Sequence, residues 1–341
     1  MKKYSVEEFL EKGLPIIDVR SPNEYNKGHI PYSHNLPLFT DEERVEVGTT
    51  YKKKGKEEAI HLGLEIVGPK LRILVQNALL ITDGRKQVCI HCFRGGMRSQ
   101  SVAWLLELAG WEVFLLEGGY KAFRSWILER FSVSYPFVVL GGLTGSGKTE
   151  ILASLADQGE SVIDLEGHAR HKGSAFGGLG QEEQPSQPHF ENLVGIDLWK
   201  KRHNKCIWIE DESRAVGKNM IPEGIWNQMR SAIVLFVERS IEERVHHLSI
   251  GYGGFSIEEL QQSAERIRKR FGPDRTQELL LCISEGRIEE AIAMVLLYYD
   301  KGYQYGLSKR DNQKTIFLSV QGHTHQSAAQ KIRKWRDSVH V

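Results

Sequence analysis

The sequence has few cysteines, no long apolar run and almost no net charge. Only four of its 341 residues are cysteine, and only Cys89 and Cys92 lie close together, so a disulfide framework is excluded. No apolar stretch reaches membrane length, and the start of the chain runs directly into acidic residues without a signal peptide. We therefore expect a cytoplasmic protein with no membrane contact.

The charges also limit how a polyanion could bind. The 45 basic and 44 acidic side chains nearly cancel, so a polyanionic partner would be held by local basic patches and not by overall charge. A length of 341 residues predicts two domains, with room for a helical extension.

A strand, a glycine-rich loop and a helix are predicted around Cys92. The apolar run Val88–Cys92 leads into a loop, and apolar residues return at helical spacing from Gln100 to Leu108. In such a loop, backbone N–H groups and the helix dipole favour a thiolate and bind an anion. We interpret Cys92 as a nucleophile, and the anion-binding residues as Arg94, Gly95, Gly96, Met97 and Arg98.

Two other interpretations of Cys92 remain open. A free cysteine is often simply a small buried hydrophobic residue, although the neighbouring glycines and arginines argue against that. Together with Cys89 it also forms a Cys-x-x-Cys, which is compatible with a redox dithiol or half of a zinc site. Cys206 and Cys282 are isolated, so no second metal pair exists.

A second strand, loop and helix follow a linker near residues 129–136. Phe137–Leu140 is apolar, and the segment after it has complete Walker A spacing. The diphosphate-binding residues would be Gly142, Gly145, Ser146, Gly147, Lys148 and Thr149, with Thr149 also a Mg²⁺ ligand. Cys206–Arg214 resembles a Walker B strand that brings Asp211 or Glu210 to the metal, and a solvated acidic turn is the alternative.

Basic segments provide candidate contacts to phosphate or RNA. A predicted strand at Ser161–Glu166 precedes the basic, glycine-rich segment Gly167–Gly178, in a position where doubly wound sheets bind ligands. The candidate residues are Arg170, His171, Lys172 and Arg214.

Three later segments combine aromatic and basic residues: Arg266–Phe271, Leu296–Tyr305 and Lys331–Arg336. Such segments suit RNA binding by base stacking, and ordinary amphipathic helices are the alternative. The lysine run at Tyr51–Lys56 is either a solvated face or a nucleic-acid contact.

These patterns predict an α/β protein with three regions. Residues 1–130 would form a parallel sheet flanked by helices, with a helical insertion near 41–81. Residues 135–240 would form a P-loop α/β domain whose last strand is 232–238, and residues 241–341 a mostly helical extension that contacts RNA.

The first region resembles a rhodanese domain. The resemblance is carried by Asp18-Val-Arg-x-Pro-x-Glu-Tyr, Gly28-His-Ile-Pro, the Cys92 loop and Leu116-Glu-Gly-Gly-Tyr. We expect Asp18 and Arg20 to be a structural ion pair and His29 to cap a turn. The Cys92 loop has the Cys-x5-Arg spacing of phosphatases that share this fold, which favours a substrate of phosphate shape.

Almost the whole chain resembles the bacterial tRNA 2-selenouridine synthases, in which a rhodanese-like domain precedes a P-loop NTPase-like domain. The most discriminating motifs are the Cys92 loop and Asp164-Leu-Glu-Gly followed by His171-Lys-Gly-Ser-Ala-Phe-Gly. Others are Gly48-Thr-Thr-Tyr-Lys, Glu117-Gly-Gly-Tyr-Lys-Ala and Glu210-Asp-Glu-Ser-Arg.

The resemblance implies that selenium replaces sulfur at the wobble 2-thiouridine of tRNA. Geranyl diphosphate would first alkylate the sulfur, and selenophosphate would then donate selenium through Cys92. It implies these two co-substrates, Mg²⁺, no tightly bound organic cofactor, and a monomer whose partner is tRNA. The P-loop would hold the diphosphate, because the reaction has no step that requires ATP.

Two other classes of function are compatible with the motifs. A Cys-x5-Arg phosphatase or sulfurtransferase fused to a P-loop kinase-like domain would release phosphate from an aryl ester without tRNA. A nucleotide-gated binding protein, with the rhodanese part as a docking surface, would retain its function when Cys92 is replaced.

Overall fold

The computed structural model describes residues 2–173, 176–308, 310 and 314–339, which form two compact units. The N-terminal unit consists of residues up to 130 together with 186–196, and the C-terminal unit of 131–185 together with the chain from 197 onward. Each unit is built on its own five-stranded parallel sheet, so the predicted α/β class is confirmed.

The sheet of the N-terminal unit has five short strands: β1 (Lys2–Tyr4), β2 (Ile16–Asp18), β3 (His34–Asn35), β4 (Gln87–His91) and β5 (Glu112–Leu116). They are parallel and lie in the order β1-β5-β4-β2-β3. β4 is the middle strand, and its residues Val88, Cys89 and Ile90 are completely buried. This burial explains the continuous apolar run, because a middle strand of a parallel sheet is covered on both faces.

The N-terminal helices are α1 (Val6–Glu11), α2 (Pro22–Asn26), α3 (Asp41–Lys54), α4 (Lys56–Val67), α5 (Leu71–Ile81), α6 (Met97–Leu108) and α7 (Gly119–Arg130). Ser5 and Glu8 form a capping box that starts α1, as predicted. The insertion is helical, and its predicted break at Pro69 is a 3-10 turn over Gly68–Lys70. The lysines at the end of α3 are exposed, and their positive charges interact favourably with the negative end of the helix dipole.

A buried ion pair lies at the carboxyl end of β2. The Arg20 guanidinium donates to the Asp18 carboxylate at 2.6–3.0 Å and to the Gly28 carbonyl oxygen at 2.8 Å. Burial works to raise the pKa of Asp18, but His91 and Arg20 outweigh it and hold that pKa below its usual value. His29 Nδ1 lies 3.0 Å from the Tyr25 carbonyl oxygen. The expected structural roles of Asp18, Arg20 and His29 are confirmed.

The C-terminal sheet consists of β6 (Phe137–Gly142), β7 (Val162–Ile163), β8 (Ile207–Glu210), β11 (Ile233–Glu238) and β12 (Thr315–Ser319), in the order β12-β11-β6-β8-β7. All its pairs are parallel. A small antiparallel ladder joins β9 (Ala215–Val216) to β10 (Asn219–Met220).

The later helices are α8 (Lys148–Asp157), α9 (Leu165–Ala169), α10 (Gln187–Lys200), α11 (Glu223–Ser231), α12 (Ile241–Tyr252), α13 (Ile257–Phe271), α14 (Pro273–Ser284), α15 (Ile288–Ser308) and α16 (His325–Val339). The expected helical extension is present from α12 to α15. Ile267 and Phe271 of α13 pack with Leu279 and Val295 in an apolar core of this extension.

Two strand predictions in the C-terminal unit are wrong in part. The strand predicted over residues 232–238 is present as β11, but it is not the last strand, because β12 follows and pairs in parallel with it at the edge of the sheet. β12 has only five residues, which is too few for a recognisable strand pattern, and its Phe317 is half exposed. The strand predicted over Ser161–Glu166 ends at Ile163, because the Asp164 side chain accepts from the Gly167 N–H at 2.7 Å and caps α9.

The basic segment at Lys331–Arg336 follows the amphipathic alternative. Trp335 packs against Trp208, with ring centroids 6.3 Å apart, and Arg333 and Arg336 both pair with Glu160. This aromatic residue therefore belongs to the core of the C-terminal unit. Among the described residues, no helix combines the length and the apolar character needed to cross a membrane.

We predict that Arg20→Ala lowers the free energy of unfolding by about 3–5 kcal/mol, because it leaves the buried Asp18 carboxylate without its partner. Urea unfolding followed by circular dichroism measures the effect. The exposed Arg287, which pairs with Glu285 and Glu290, provides the control. Arg287→Ala should leave the free energy of unfolding almost unchanged, because its ion pairs are exposed to water, and equal losses for both variants would contradict the structural role of Arg20.

Candidate functional site

Cys92 lies at the carboxyl end of β4, in the loop before α6. Its side chain is 3% exposed, and its Sγ accepts a hydrogen bond from the Ser99 hydroxyl at 3.2 Å. The Gly96 carbonyl oxygen lies 4.0 Å from the same sulfur. The structure therefore places Cys92 at the base of the loop, beneath residues 93–97.

The loop is braced by the Gly118–Lys121 segment. The Tyr120 N–H donates to the Cys92 carbonyl oxygen and the Lys121 N–H to that of Phe93, both at 2.9 Å. Gly119 lies so close that an added Cβ would be 2.4 Å from the Cys92 carbonyl oxygen. Gly95 has φ +64°, a conformation that favours glycine. The paired glycines of Glu117-Gly-Gly-Tyr thus fix the backbone around Cys92.

The two arginines of the loop have different environments. Arg98 donates to the Glu24 carboxylate at 2.5 and 3.2 Å. Burial works to lower the pKa of Arg98, but the bonds to Glu24 outweigh it and raise that pKa. Arg94 is exposed and lies 5.8 Å from the Phe93 ring. The geometry therefore leaves Arg94 at the solvent side of the predicted anion site and anchors Arg98.

Cys89 does not act as a partner thiol. It is completely buried, its Sγ lies 3.7 Å from the Phe9 carbonyl oxygen, and burial raises its pKa to about 12. Such a thiol stays protonated at neutral pH, whereas dithiol chemistry and metal binding both need a thiolate. The structure therefore argues against the dithiol and zinc interpretations of Cys89, and the nucleophilic role of Cys92 stays a prediction.

The Walker A segment forms the turn between β6 and α8. The Lys148 ammonium donates to the Gly142 carbonyl oxygen at 2.9 Å, and Gly147 has φ +77°. Two arginines hold the outer side of the loop: Arg244 donates to the Thr144 carbonyl oxygen at 2.9 Å and Arg239 to that of Ser146 at 3.0 Å. The loop backbone is thus fixed from outside, which leaves its inner N–H groups to face a bound anion.

Three carboxyl groups cluster near Thr149, and two of them, Glu166 and Glu212, were not predicted from the sequence. The Thr149 hydroxyl donates to Glu166 at 3.0 Å, and the Glu166 N–H donates to Glu210 at 3.1 Å. A Cβ added to Gly173 would lie within 2.9 Å of both Glu166 and Glu212. Glu166 lies three residues after the end of β7, and this position near the carboxyl end of a strand was the available signal.

Burial and mutual repulsion raise the pKa values of these carboxyl groups. Burial is the largest cause for Glu166 and Glu210, and the Glu166 charge adds to it at Glu210. Burial together with Glu166 raises the pKa of Glu212 to about 8. A cation would relieve this repulsion, and the Thr149 hydroxyl with the carboxylates offers the hard oxygen donors that Mg²⁺ prefers. The residues present therefore fit Mg²⁺.

Asp211, the predicted second metal ligand, is bound elsewhere. Its carboxylate accepts from the Tyr303 hydroxyl at 2.5 Å and pairs with Arg310. Tyr303 in turn accepts from the Gly142 N–H at 3.3 Å. Asp211 is thus linked to the Walker A strand through Tyr303, while Glu166 is the carboxylate that contacts Thr149. The assignment of Asp211 as a metal ligand stays a prediction.

Two of the four basic candidates lie in the same cleft as the Walker A loop. This cleft has a volume of about 1410 Å³, and its lining includes Lys148, Thr149, Lys172 and Arg214. Arg170 instead contacts Glu182 and the Glu183 carbonyl oxygen. His171 does not line the cleft. Burial, together with the nearby Arg266, lowers the pKa of this histidine. Ser174 and Ala175 of the predicted basic loop lie outside the described residues.

Aromatic and apolar side chains cover another wall of the cleft. α15 contributes Tyr298, Tyr299, Tyr303 and Tyr305, the four tyrosines that the sequence singled out. A small apolar cavity of about 30 Å³ adjoins the cleft. Five residues line both spaces: Thr144, Phe176, Leu248, Tyr252 and Tyr299. A ligand in this cleft could therefore place an anion on the loop and an apolar group against this wall.

Both units match families of known proteins. Residues 3–125 match the model of the rhodanese-like domain, and residues 135–335 match that of the tRNA 2-selenouridine synthase AAA domain. The chain is 36% identical to the tRNA 2-selenouridine synthase of Shewanella woodyi, over 98% of this chain and 97% of that protein. It is 35% identical to the Bordetella petrii enzyme of the same name, over 96% and 94%, and 37% identical to that of Pseudomonas fluorescens, over 81% of each.

We predict that the stability of the protein falls as the pH rises through about 8 and that Glu212→Gln reduces this fall. The folded state holds the Glu212 proton up to about pH 8, whereas the ordinary value is 4.5. The resulting stabilisation is fully present below about pH 4.5 and is lost as the pH rises through 8. Thermal unfolding between about pH 6 and pH 9 without added metal measures it.

The exposed Glu58 on α4 provides the matched control. Glu58→Gln should leave the pH profile of the wild type unchanged. If Glu212→Gln and the wild type lose stability in parallel, Glu212 does not hold a proton in the folded protein.

Proposed function

Because the chain belongs to the tRNA 2-selenouridine synthase family, we propose that it replaces the sulfur of a wobble 2-thiouridine in tRNA by selenium. The observation that carries the proposal is the occurrence, in one chain, of a braced Cys92 loop and of a diphosphate-type loop beside an apolar wall. The enzyme would act in the cytoplasm, as a monomer and without a tightly bound organic cofactor.

We assign the first half of the reaction to the C-terminal unit. The thiouridine sulfur attacks C1 of geranyl diphosphate, the C–O bond breaks, and its electron pair leaves with the diphosphate. Lys148 and the loop N–H groups neutralise the charge that develops on this leaving group. Mg²⁺ bound by Thr149 and the adjacent carboxylates would supply further neutralisation of the diphosphate.

The shape of the cleft supports a prenyl diphosphate as the ligand of this loop. Leu248 packs directly on the loop, since a Cβ added to Gly145 would lie 2.9 Å from its Cδ1. Behind Leu248 lies the apolar cavity, with Leu260, Val295 and Leu296 in its lining. An apolar tail that extends from the loop would therefore meet side chains that bind it by the hydrophobic effect.

We assign the second half to the N-terminal unit. The loop N–H groups and Arg94 would bind the phosphate of selenophosphate, with Arg98 fixed by Glu24 as the support of the same loop. The Cys92 thiolate attacks the phosphorus of selenophosphate, the P–Se bond breaks, and selenium leaves with the electron pair as hydroselenide. In the net exchange, selenium takes the place of the geranylated sulfur at C2 of the base, geranyl thiol leaves, and the phosphoryl group passes to water.

Basic and aromatic side chains around the cleft would hold the RNA. Lys172 and Arg214 would contact phosphates, and the tyrosines of α15 would stack on bases, a contact worth about 1–3 kcal/mol for each base. Arg170 and His171 stay candidates for phosphates outside the cleft.

We predict that two substitutions separate the half-reactions. Lys148→Ala should lower geranylation of thiolated tRNA by at least about 100-fold, because the leaving group loses its cation. Cys92→Ala should abolish selenation while geranylated tRNA accumulates. Mass spectrometry of tRNA nucleosides, after incubation with geranyl diphosphate and selenophosphate, measures both products.

Cys89→Ala is the matched control for the cysteine, since Cys89 is also buried and lies in β4, three residues before Cys92. It should retain selenation. Normal geranylation by Lys148→Ala, or normal selenation by Cys92→Ala, would exclude the corresponding assignment.

We further predict that Leu248→Asn raises the KM for geranyl diphosphate about tenfold or more, because a polar amide replaces apolar contact with the tail. Inhibition by inorganic diphosphate, which has no tail, should be unchanged. The control is Leu281→Asn on α14, which replaces a half-exposed leucine outside both spaces. An equal effect on diphosphate and geranyl diphosphate would place the loss in the loop and not in a tail site.

A further inference from the structure

Three potential metal ligands converge at the rim of the Walker A cleft. Glu150 follows Thr149 in α8, His247 lies in α12, and His325 begins α16. One ligand atom from each lies within 4.8 Å of the other two. All three residues also line the cleft.

We propose that Glu150, His247 and His325 bind a divalent transition-metal ion of the zinc class. His247 Nε2 lies 3.4 Å from a Glu150 carboxylate oxygen. Two donor atoms of a tetrahedral zinc ion are also about 3.4 Å apart, because zinc bonds to nitrogen and oxygen are about 2.1 Å long. The third donor, from His325, lies within 4.8 Å of the other two and needs to approach by at most about 1.4 Å to complete this geometry.

The surrounding backbone leaves space for the third ligand. A Cβ added to Gly147 would lie 2.7 Å from His325 Nε2, so a side chain at this position of the loop would displace the imidazole. The centroids of the His247 and His325 rings are 5.1 Å apart, and the nearly perpendicular rings meet edge to face without stacking. Three elements far apart in sequence thus bring their donor atoms to one point.

The donor set separates this site from the Mg²⁺ site predicted at Thr149. Two imidazoles and one carboxylate suit zinc, cobalt or nickel, whereas Mg²⁺ prefers oxygen ligands only. Three protein ligands leave a further coordination position open, as in zinc sites that bind a substrate or water. Because all three residues line the cleft, that position is accessible from it.

Metal titration of the full chain tests this site without tRNA. The chain, stripped with a chelator, is titrated with Zn²⁺ by calorimetry in the presence of excess Mg²⁺, and with Co²⁺ by visible absorption. We expect one Zn²⁺ per chain at this cluster. His247→Ala, His325→Ala and Glu150→Gln should each weaken binding by at least about 100-fold, because each removes a direct ligand.

His246→Ala is the matched control, since His246 is the exposed neighbour of His247 on α12. It should bind Zn²⁺ as the wild type does, and circular dichroism confirms that each variant is folded. Two results would overturn the site: unchanged Zn²⁺ affinity in His247→Ala, or a Co²⁺ spectrum with the charge-transfer band of a cysteine ligand. Both readouts measure the metal directly, so they stand or fall independently of selenation.

Discussion

Both candidate sites depend on one constraint, the position of a glycine-rich loop at the carboxyl end of the middle strand of a parallel sheet. β4 holds this position in the N-terminal unit and β6 in the C-terminal unit. Both strands are buried and hydrogen bonded on two sides, so the point from which each loop departs is fixed. The helix that follows each loop adds N–H groups that no residue inside the helix can satisfy. Anion binding therefore follows from the architecture before any charged side chain is considered.

The charged side chains then give the two sites different characters. In the N-terminal unit, Asp18 and Arg20 neutralise each other at the carboxyl end of β2, and Glu24 neutralises Arg98. In the C-terminal unit, burial and then the repulsion between neighbouring carboxyl groups raise the pKa values of Glu166, Glu210 and Glu212. This difference agrees with our proposal that the first site binds an anionic donor alone and the second an anion together with a metal ion.

Much of this architecture could be predicted from the sequence, because local patterns determine it. The runs that became β4, β6 and β8 are continuous and apolar, and each is followed by residues that cannot continue a strand. The loop glycines and the capping box of α1 also act over a few residues. The family resemblance drew on the same motifs, and the matched relatives confirm it.

The remaining features depend on contacts between distant parts of the chain. Asp211 meets Tyr303 and Arg310, which lie more than 90 residues further on, and no local pattern announces that pairing. β12 is a short edge strand, recognisable only by its alignment with β11. The role of Glu166 emerges only when α9 is seen to begin at Leu165 and to direct this carboxylate toward Thr149.

The close approach of Gly119 to the Cys92 loop has a consequence for how a chalcogen could leave that site. With two backbone hydrogen bonds and almost no gap, the loop and the first turn of α7 form a single rigid body. An opening motion of the loop would have to pull α7 out of the core, where Phe123 and Ile127 are completely buried. In the proposed reaction, the tRNA base would therefore have to move to the selenium held at this loop, because the loop itself stays in place.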